Sequence, residues 1–161
     1  MIRRTMSRRP APWALAMTLV LSACFEQPYR HYATAADAVA AGEAQRGWLP
    51  AWVPGSARDL HMQGDLDSNQ WWLRADLTPA AADSLRAVLE PVSADSVRYR
   101  SPRRSGRWWF ESLIQHHPEN DGGLNAHLFR GTGTPTPRTT VVAFDRFSPT
   151  IYIWTSATRV R

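Results

Sequence analysis

The sequence contains no lysine, only one cysteine and no apolar run of the length that crosses a membrane. Without lysine the chain cannot carry the phosphate-binding motif of the P-loop ATPases, which requires that residue. A single cysteine cannot close an internal disulfide. The longest apolar run covers residues 13–21, whereas a membrane-spanning helix needs about 20 residues. The sequence therefore predicts neither a disulfide scaffold, nor a P-loop enzyme, nor a spanning helix.

Positive charge is concentrated at the amino terminus. The formal net charge is +5, and residues 1–23 contain four arginines and no acidic residue, which gives +4. The remaining residues contain 15 arginines and 14 acidic residues, so their net charge is +1. A nucleic-acid-binding domain would need a basic face of its own. The charge distribution therefore predicts no nucleic-acid partner.

Residues 1–24 have the pattern of a secretory signal. A basic segment precedes the apolar run, and small residues follow it in Leu21-Ser22-Ala23-Cys24. These four residues resemble the lipobox of bacterial lipoproteins. The resemblance implies that the Cys24 thiol receives a diacylglyceryl group, that the chain is cut before Cys24 and that the new amine is acylated. Two acyl chains anchor a protein stably. The alternative is an ordinary thiol near a plain cleavage site.

The residue after the cysteine bears on the expected location. In enterobacterial lipoproteins an aspartate there favours retention in the inner membrane, and this chain has Phe25. We therefore expect secretion across the inner membrane and anchoring at the outer membrane, facing the periplasm. The predicted organisation is a signal peptide over residues 1–23, a tether over 24–33 and a single domain over 34–161.

The predicted domain has α+β character. Capping residues and apolar spacing predict two main helices, one over residues 35–46 ended by Gly47, and one from Thr78 to about Glu90. Alternating or β-branched segments predict an antiparallel sheet of about five or six strands. These strands are expected at 57–64, 70–77, 97–100, 124–130, 139–147 and 150–155.

Residues 47–72 resemble a group of small uncharacterised bacterial lipoproteins. The shared run begins with Gly-Trp-aliphatic-Pro at 47–50 and continues with Pro-x-Ser-Ala at 54–57. It ends with Asp-Leu-Asp-x-Asn at 65–69, followed by a tryptophan. The resemblance implies that this loop and hairpin form a unit and that a lipid anchor is usual. It implies no activity.

Seven of the eight tryptophans follow the signal segment. Neighbouring residues on a strand point to opposite faces, so we expect one member of the Trp71–Trp72 pair to be core and the other more exposed. The candidate partner-binding residues are Trp48, Trp52, Trp71 and Trp72, with the 48–54 loop as the contact surface. The alternative is that these rings only fill a small core.

A second candidate surface combines arginine with tryptophan. Five arginines lie within residues 98–107, directly before a tryptophan pair. Cell-wall glycan or anionic lipid would suit such a surface in the envelope. The candidate contacts are Arg103, Arg104, Arg107, Trp108 and Trp109. The alternative is a solvated loop.

Metal and catalytic motifs are incomplete. The Asp65-x-Asp67-x-Asn69 spacing opens a calcium loop, but position 6 is Gln70 instead of glycine and position 12 is Asp76 instead of glutamate. A hairpin turn is the expected alternative. The adjacent His116 and His117 do not converge on one ion from a Pro/Gly-rich loop. We predict no metal and no cofactor.

No signature of nucleophilic catalysis is present, such as G-x-S-x-G or S-x-x-K. The sequence therefore predicts a non-enzymatic binding or scaffolding module with an envelope protein as its partner. The alternative is a binder of cell-wall glycan or anionic lipid.

Overall fold

The structure is a computed structural model that describes residues 29–65, 67–93, 97, 99, 101–102, 106–109, 126–131 and 138–157. In these residues seven strands form one antiparallel sheet that carries two helices. The strands are β1 (Tyr29–Thr34), β2 (Arg58–Asp65), β3 (Gln70–Asp76), β4 (Glu90–Pro91), β5 (Ala126–Arg130), β6 (Arg138–Asp145) and β7 (Thr150–Ala157). Their order in the sheet is β1-β2-β3-β7-β6-β5-β4.

The α+β class and the antiparallel sheet are confirmed, but the described part of the chain has seven strands instead of five or six. The prediction missed β1 and β4. β4 has two residues and ends in Pro91, and proline within a sheet is confined to edges and bulges. The predicted strand over 97–100 is absent at Val97 and Tyr99.

β1 corrects the predicted domain boundary. Residues 29–33 were expected to belong to the tether, but they pair with β2 from Tyr29 opposite Gln63 to Thr34 opposite Arg58. Each residue of β1 is exposed or half-buried because the strand lies at the sheet edge. Such a strand is held in place by its pairing with β2, because it has no buried apolar side chains of its own.

Both helices begin at the predicted caps. The helix α1 (Ala35–Ala40) has a capping box in which Thr34 and Asp37 exchange hydrogen bonds. The helix α2 (Pro79–Val88) has Thr78 as its N-cap. No helix in the described residues is both long enough and apolar enough to span a membrane.

The first helix is shorter than expected because Gly42 ends it, and Gly47 does not. Gly42 has a φ of 85°. Its N–H donates to the carbonyl of Val39, and the N–H of Glu43 donates to the carbonyl of Ala38. This is a Schellman ending, which glycine favours because it has no Cβ. The chain then continues to Gly47 as turns.

The centre of the sheet is buried on both faces. One face, here the helix face, packs against α1, α2 and the 48–57 loop through residues that include Trp71, Leu73 and Ile153. The opposite face, here the tryptophan face, is formed by residues that include Trp72 and Trp154.

Trp108 and Trp109 cover the tryptophan face. Trp71 is 5% exposed and Trp72 is 2% exposed. The two rings do point to opposite faces, but the expectation that one is exposed is wrong. The reason is the second layer, in which the Trp109 ring meets Tyr152 and Trp154 edge-on.

The Trp48 ring packs directly on the backbone of Gly64 in β2, so a Cβ at this position would overlap the ring. We predict that Gly64→Ala lowers the free energy of unfolding by about 1–3 kcal/mol, the usual cost of overpacking a core. Gly55→Ala is the matched control, because a Cβ there meets nothing within 4 Å. Urea unfolding of both variants measures the difference, and equal stability would contradict the packing.

Candidate functional site

Polar side chains gather on the tryptophan face where β1, β2 and β3 lie side by side. Asp59 is at the centre. Its Oδ1 lies 2.7 Å from Nε2 of His31 and 3.2 Å from Nε2 of His61. Its Oδ2 accepts a hydrogen bond from Arg74 at 2.5 Å. We call His31, Asp59, His61 and Arg74 the histidine cluster.

Strand register brings the two histidines together. His31 on β1 lies directly opposite His61 on β2. Opposite residues of an antiparallel pair share a face of the sheet. The two rings stack with their centroids 4.5 Å apart and an interplanar angle of 25°.

A β-bulge places Asp59. The pairing of β2 with β3 shifts between Arg58 and His61, so two residues of β2 lie opposite Ala75. Asp59 has a φ of 50°, and aspartate tolerates this left-handed region better than most residues. A bulge bends a strand and turns a side chain to a new direction. Here the carboxylate of the bulge residue lies beside the two imidazoles.

Asp59 is ionised and His61 is neutral at neutral pH. Burial would raise the pKa of Asp59, but hydrogen bonds from Arg74, His31 and His61 outweigh it and lower the pKa to about 2. Burial lowers the pKa of His61, against the opposing pull of Asp59. The cluster therefore offers a fixed carboxylate and an uncharged imidazole.

Arg74 fixes the orientation of the carboxylate. Its two terminal nitrogens contact different acids, Nη1 with Asp59 and Nη2 with Asp76 at 2.8 Å. Thr150 on β7 donates a further hydrogen bond to Asp76 at 2.8 Å. Oδ2 of Asp59 is thus occupied, and Oδ1 faces the histidines.

Aromatic rings close the buried side of the histidine cluster. Trp108 lies almost parallel to the His61 ring, with an interplanar angle of 10° and 6.0 Å between centroids. The hydroxyl of Tyr29 lies 2.7 Å from Nδ1 of His61. Both ring nitrogens of His61 therefore have a polar neighbour.

A second feature is an apolar groove of about 390 Å³ between α1 and the loop after it. We call it the α1 groove. Its lining contains no charged or polar side chain: Ala35, Ala36, Val39, Ala40, Ala44, Leu49, Pro50, Ala51, Val53 and Gly55. Val39 is 46% exposed. The 48–54 loop supplies the wall opposite the helix.

In the described part of the chain, the sequence-predicted tryptophans are divided between the two faces of the sheet and do not form one site. Trp48, Trp71, Trp72, Trp108 and Trp109 are all buried, and Trp52 is partly buried. Arg107 is exposed. Cys24, Arg103, Arg104, His116 and His117 lie outside the described residues.

Sequence reasoning missed His31 and Asp59. A signal was present in Asp59-x-His61, because residues two apart on a strand share a face. His31 could not be added to that pair, since its segment was interpreted as a tether. The carboxylate of Asp65, by contrast, accepts the N–H groups of Asp67 and Ser68, as expected of a turn.

Comparison with known families finds a similarity over part of the chain. Residues 26–74 match the family model of the YbbD head domain, a segment of 49 of the 161 residues. The matched segment contains the whole histidine cluster and both walls of the α1 groove. Neither the curated proteins nor the solved structures give a match to the chain.

Removing Arg74 tests the electrostatics of the cluster. We predict that Arg74→Met raises the pKa of Asp59 from about 2 towards its usual 3.8. The folded-state pKa lies below the unfolded one, so this ionisation stabilises the fold fully above about pH 4, and the stabilisation is lost as the pH falls towards 2. Carboxyl-carbon NMR titration measures the shift.

Arg130→Met is the matched control, because Arg130 pairs with Glu90 at the far edge of the sheet. It should leave the pKa of Asp59 unchanged. An unchanged value in Arg74→Met would show that Arg74 does not hold the carboxylate.

Proposed function

We propose that this protein is a lipid-anchored, non-enzymatic binding or scaffolding module of the bacterial cell envelope. Two features support the anchor: the apolar run of residues 13–21, and the lipobox-like Leu21–Cys24 that directly follows it. The proposed location is the periplasmic face of the outer membrane. The similarity of residues 26–74 to a head domain is compatible with a small domain displayed at a surface.

The proposed anchor would hold the domain close to the membrane. β1 begins at Tyr29, so only five residue steps separate the first strand from Cys24. A fully extended chain covers at most about 3.6 Å per residue, or about 18 Å over these steps. The amino-terminal end of β1 would thus stay within about 18 Å of the anchored residue.

The α1 groove is the observation that carries the binding proposal. The sheet hides its apolar surface on both faces, yet this groove leaves a continuous apolar lining open to solvent. A contiguous apolar surface that stays exposed often marks an interaction site, whereas single exposed apolar residues are ordinary. The 48–54 loop, the predicted contact surface, is one of its walls.

The occupant we propose is an apolar segment of an envelope protein. The lining offers van der Waals contact and no charge, so it suits aliphatic side chains better than a glycan or a phosphate. The alternative surface, with Arg103, Arg104 and Arg107, would take anionic lipid or cell-wall glycan. Burial of Trp108 and Trp109 leaves neither ring free to stack on a sugar.

Lipidation is tested by mass spectrometry of the protein recovered from cells. We predict that the chain expressed in a bacterium is recovered with membranes and that its first peptide carries acyl chains on Cys24. Cys24→Ser removes the thiol but keeps the size of the residue, and should release the protein from the membrane fraction. Recovery of wild-type protein with an unmodified Cys24 would contradict the anchor.

The groove is tested by capture of partners from cross-linked envelopes. We predict that Val39→Asp lowers recovery of the main protein partner at least about tenfold, because it places a charge in an apolar contact. Val88→Asp is the matched control, since Val88 is 67% exposed on α2, outside the groove.

Circular dichroism is used to check that both variants fold. Equal recovery with both variants would remove the groove from the proposal. Recovery of lipid or cell-wall fragments alone would favour the arginine–tryptophan surface instead.

A further inference from the structure

We propose that His31, Asp59 and His61 form a binding site for a divalent transition-metal ion of the zinc class. Each residue offers one ligand atom, and these three atoms lie within 4.8 Å of one another. The residues come from two strands and one bulge, so the convergence is a product of the fold. The sequence patterns had predicted no metal.

The distances suit a small divalent ion. Zinc binds imidazole nitrogen and carboxylate oxygen at about 2.0–2.2 Å, which separates neighbouring ligand atoms by about 3–3.5 Å. Oδ1 of Asp59 already lies 2.7 Å from one Nε2 and 3.2 Å from the other. The first of these separations has to widen slightly to admit the ion, and the second already fits.

The donor set selects the class of metal. Two imidazoles and one carboxylate suit zinc, copper, nickel and ferrous iron. Calcium and magnesium prefer oxygen ligands only. The side chains of His31 and Asp59 are 49% and 44% exposed, so water can reach the remaining coordination positions.

The surrounding side chains fit a metal-bound state. A carboxylate oxygen only accepts hydrogen bonds, so without metal the Nε2 atom of each histidine beside Asp59 carries a proton. A metal ion binds through the lone pair of Nε2. The proton of His61 therefore moves from Nε2 to Nδ1 through solvent. The hydroxyl of Tyr29, 2.7 Å from Nδ1 of His61, can then accept this N–H. Such an outer hydrogen bond accompanies nearly every metal-bound histidine.

The charges also permit a cation. Arg74 brings one positive charge near the site, but Asp59 and Asp76 both contact it. These three groups together carry one net negative charge. Arg74 occupies Oδ2 of Asp59 and leaves Oδ1 for the ion, which is the role of an outer positioning residue.

The test is titration of the full chain, without a polyhistidine tag and in detergent, with zinc chloride. Calorimetry should show one ion per chain, and cobalt should produce a visible absorption band from nitrogen and oxygen ligands. We expect the double variant His31→Ala/His61→Ala to lose at least about 100-fold in affinity. Tyr29→Phe should lose about 10-fold, as outer-shell variants do.

Asp59→Asn guards against a folding artefact, because asparagine also tolerates the positive φ at this position. It should keep the native circular dichroism spectrum and still lose affinity. His127→Ala removes an exposed histidine on β5, and His116→Ala/His117→Ala removes the adjacent pair. Both controls should bind zinc like the wild type.

Absence of saturable zinc binding would overturn the proposal. Binding that disappears in either control and survives in the double cluster variant would overturn it equally. Because these experiments need neither a partner nor acylation, their outcome is independent of the proposed envelope function.

Discussion

The pairing of β3 with β7 joins the two halves of the sheet and builds the core on both of its faces. Trp72 lies opposite Trp154, and Leu73 lies opposite Ile153. The Trp72–Trp154 pair fills the tryptophan face, and the Leu73–Ile153 pair fills the helix face. Strands buried on both sides need a covering layer on each side. The helices and the 48–57 loop form one layer, and Trp108 with Trp109 belongs to the other.

This constraint explains why the tryptophans do not form the surface. A small domain has little interior relative to its area, and large rings bury the most apolar surface per residue. The chain therefore uses these rings as core. The features that remain open to solvent are elsewhere, in the α1 groove and in the histidine cluster at the edge formed by β1, β2 and β3.

Local signals in the sequence predicted part of the fold well. Thr34 and Thr78 cap the two helices because their hydroxyls accept N–H groups of residues only three positions away. The β2–β3 hairpin follows from turn-forming residues between two strands. β1 and the early end of α1 were missed. An edge strand has no alternating apolar pattern. Gly42 and Gly47 both have a positive φ and the same pair of helix-ending hydrogen bonds, and the helix ends at the first of these two glycines.

Features written in consecutive residues can be predicted from the sequence: the basic amino-terminal segment and the apolar run after it, the lipobox-like Leu21–Cys24, the helix caps and the antiparallel α+β class. The candidate sites depend instead on contacts between distant segments. His31 and Asp59 lie 28 positions apart, and their contact depends on the register of β1 on β2 and on a bulge. Such contacts form only in the folded sheet, because the combined interactions of the sheet offset the entropy lost in closing the intervening chain.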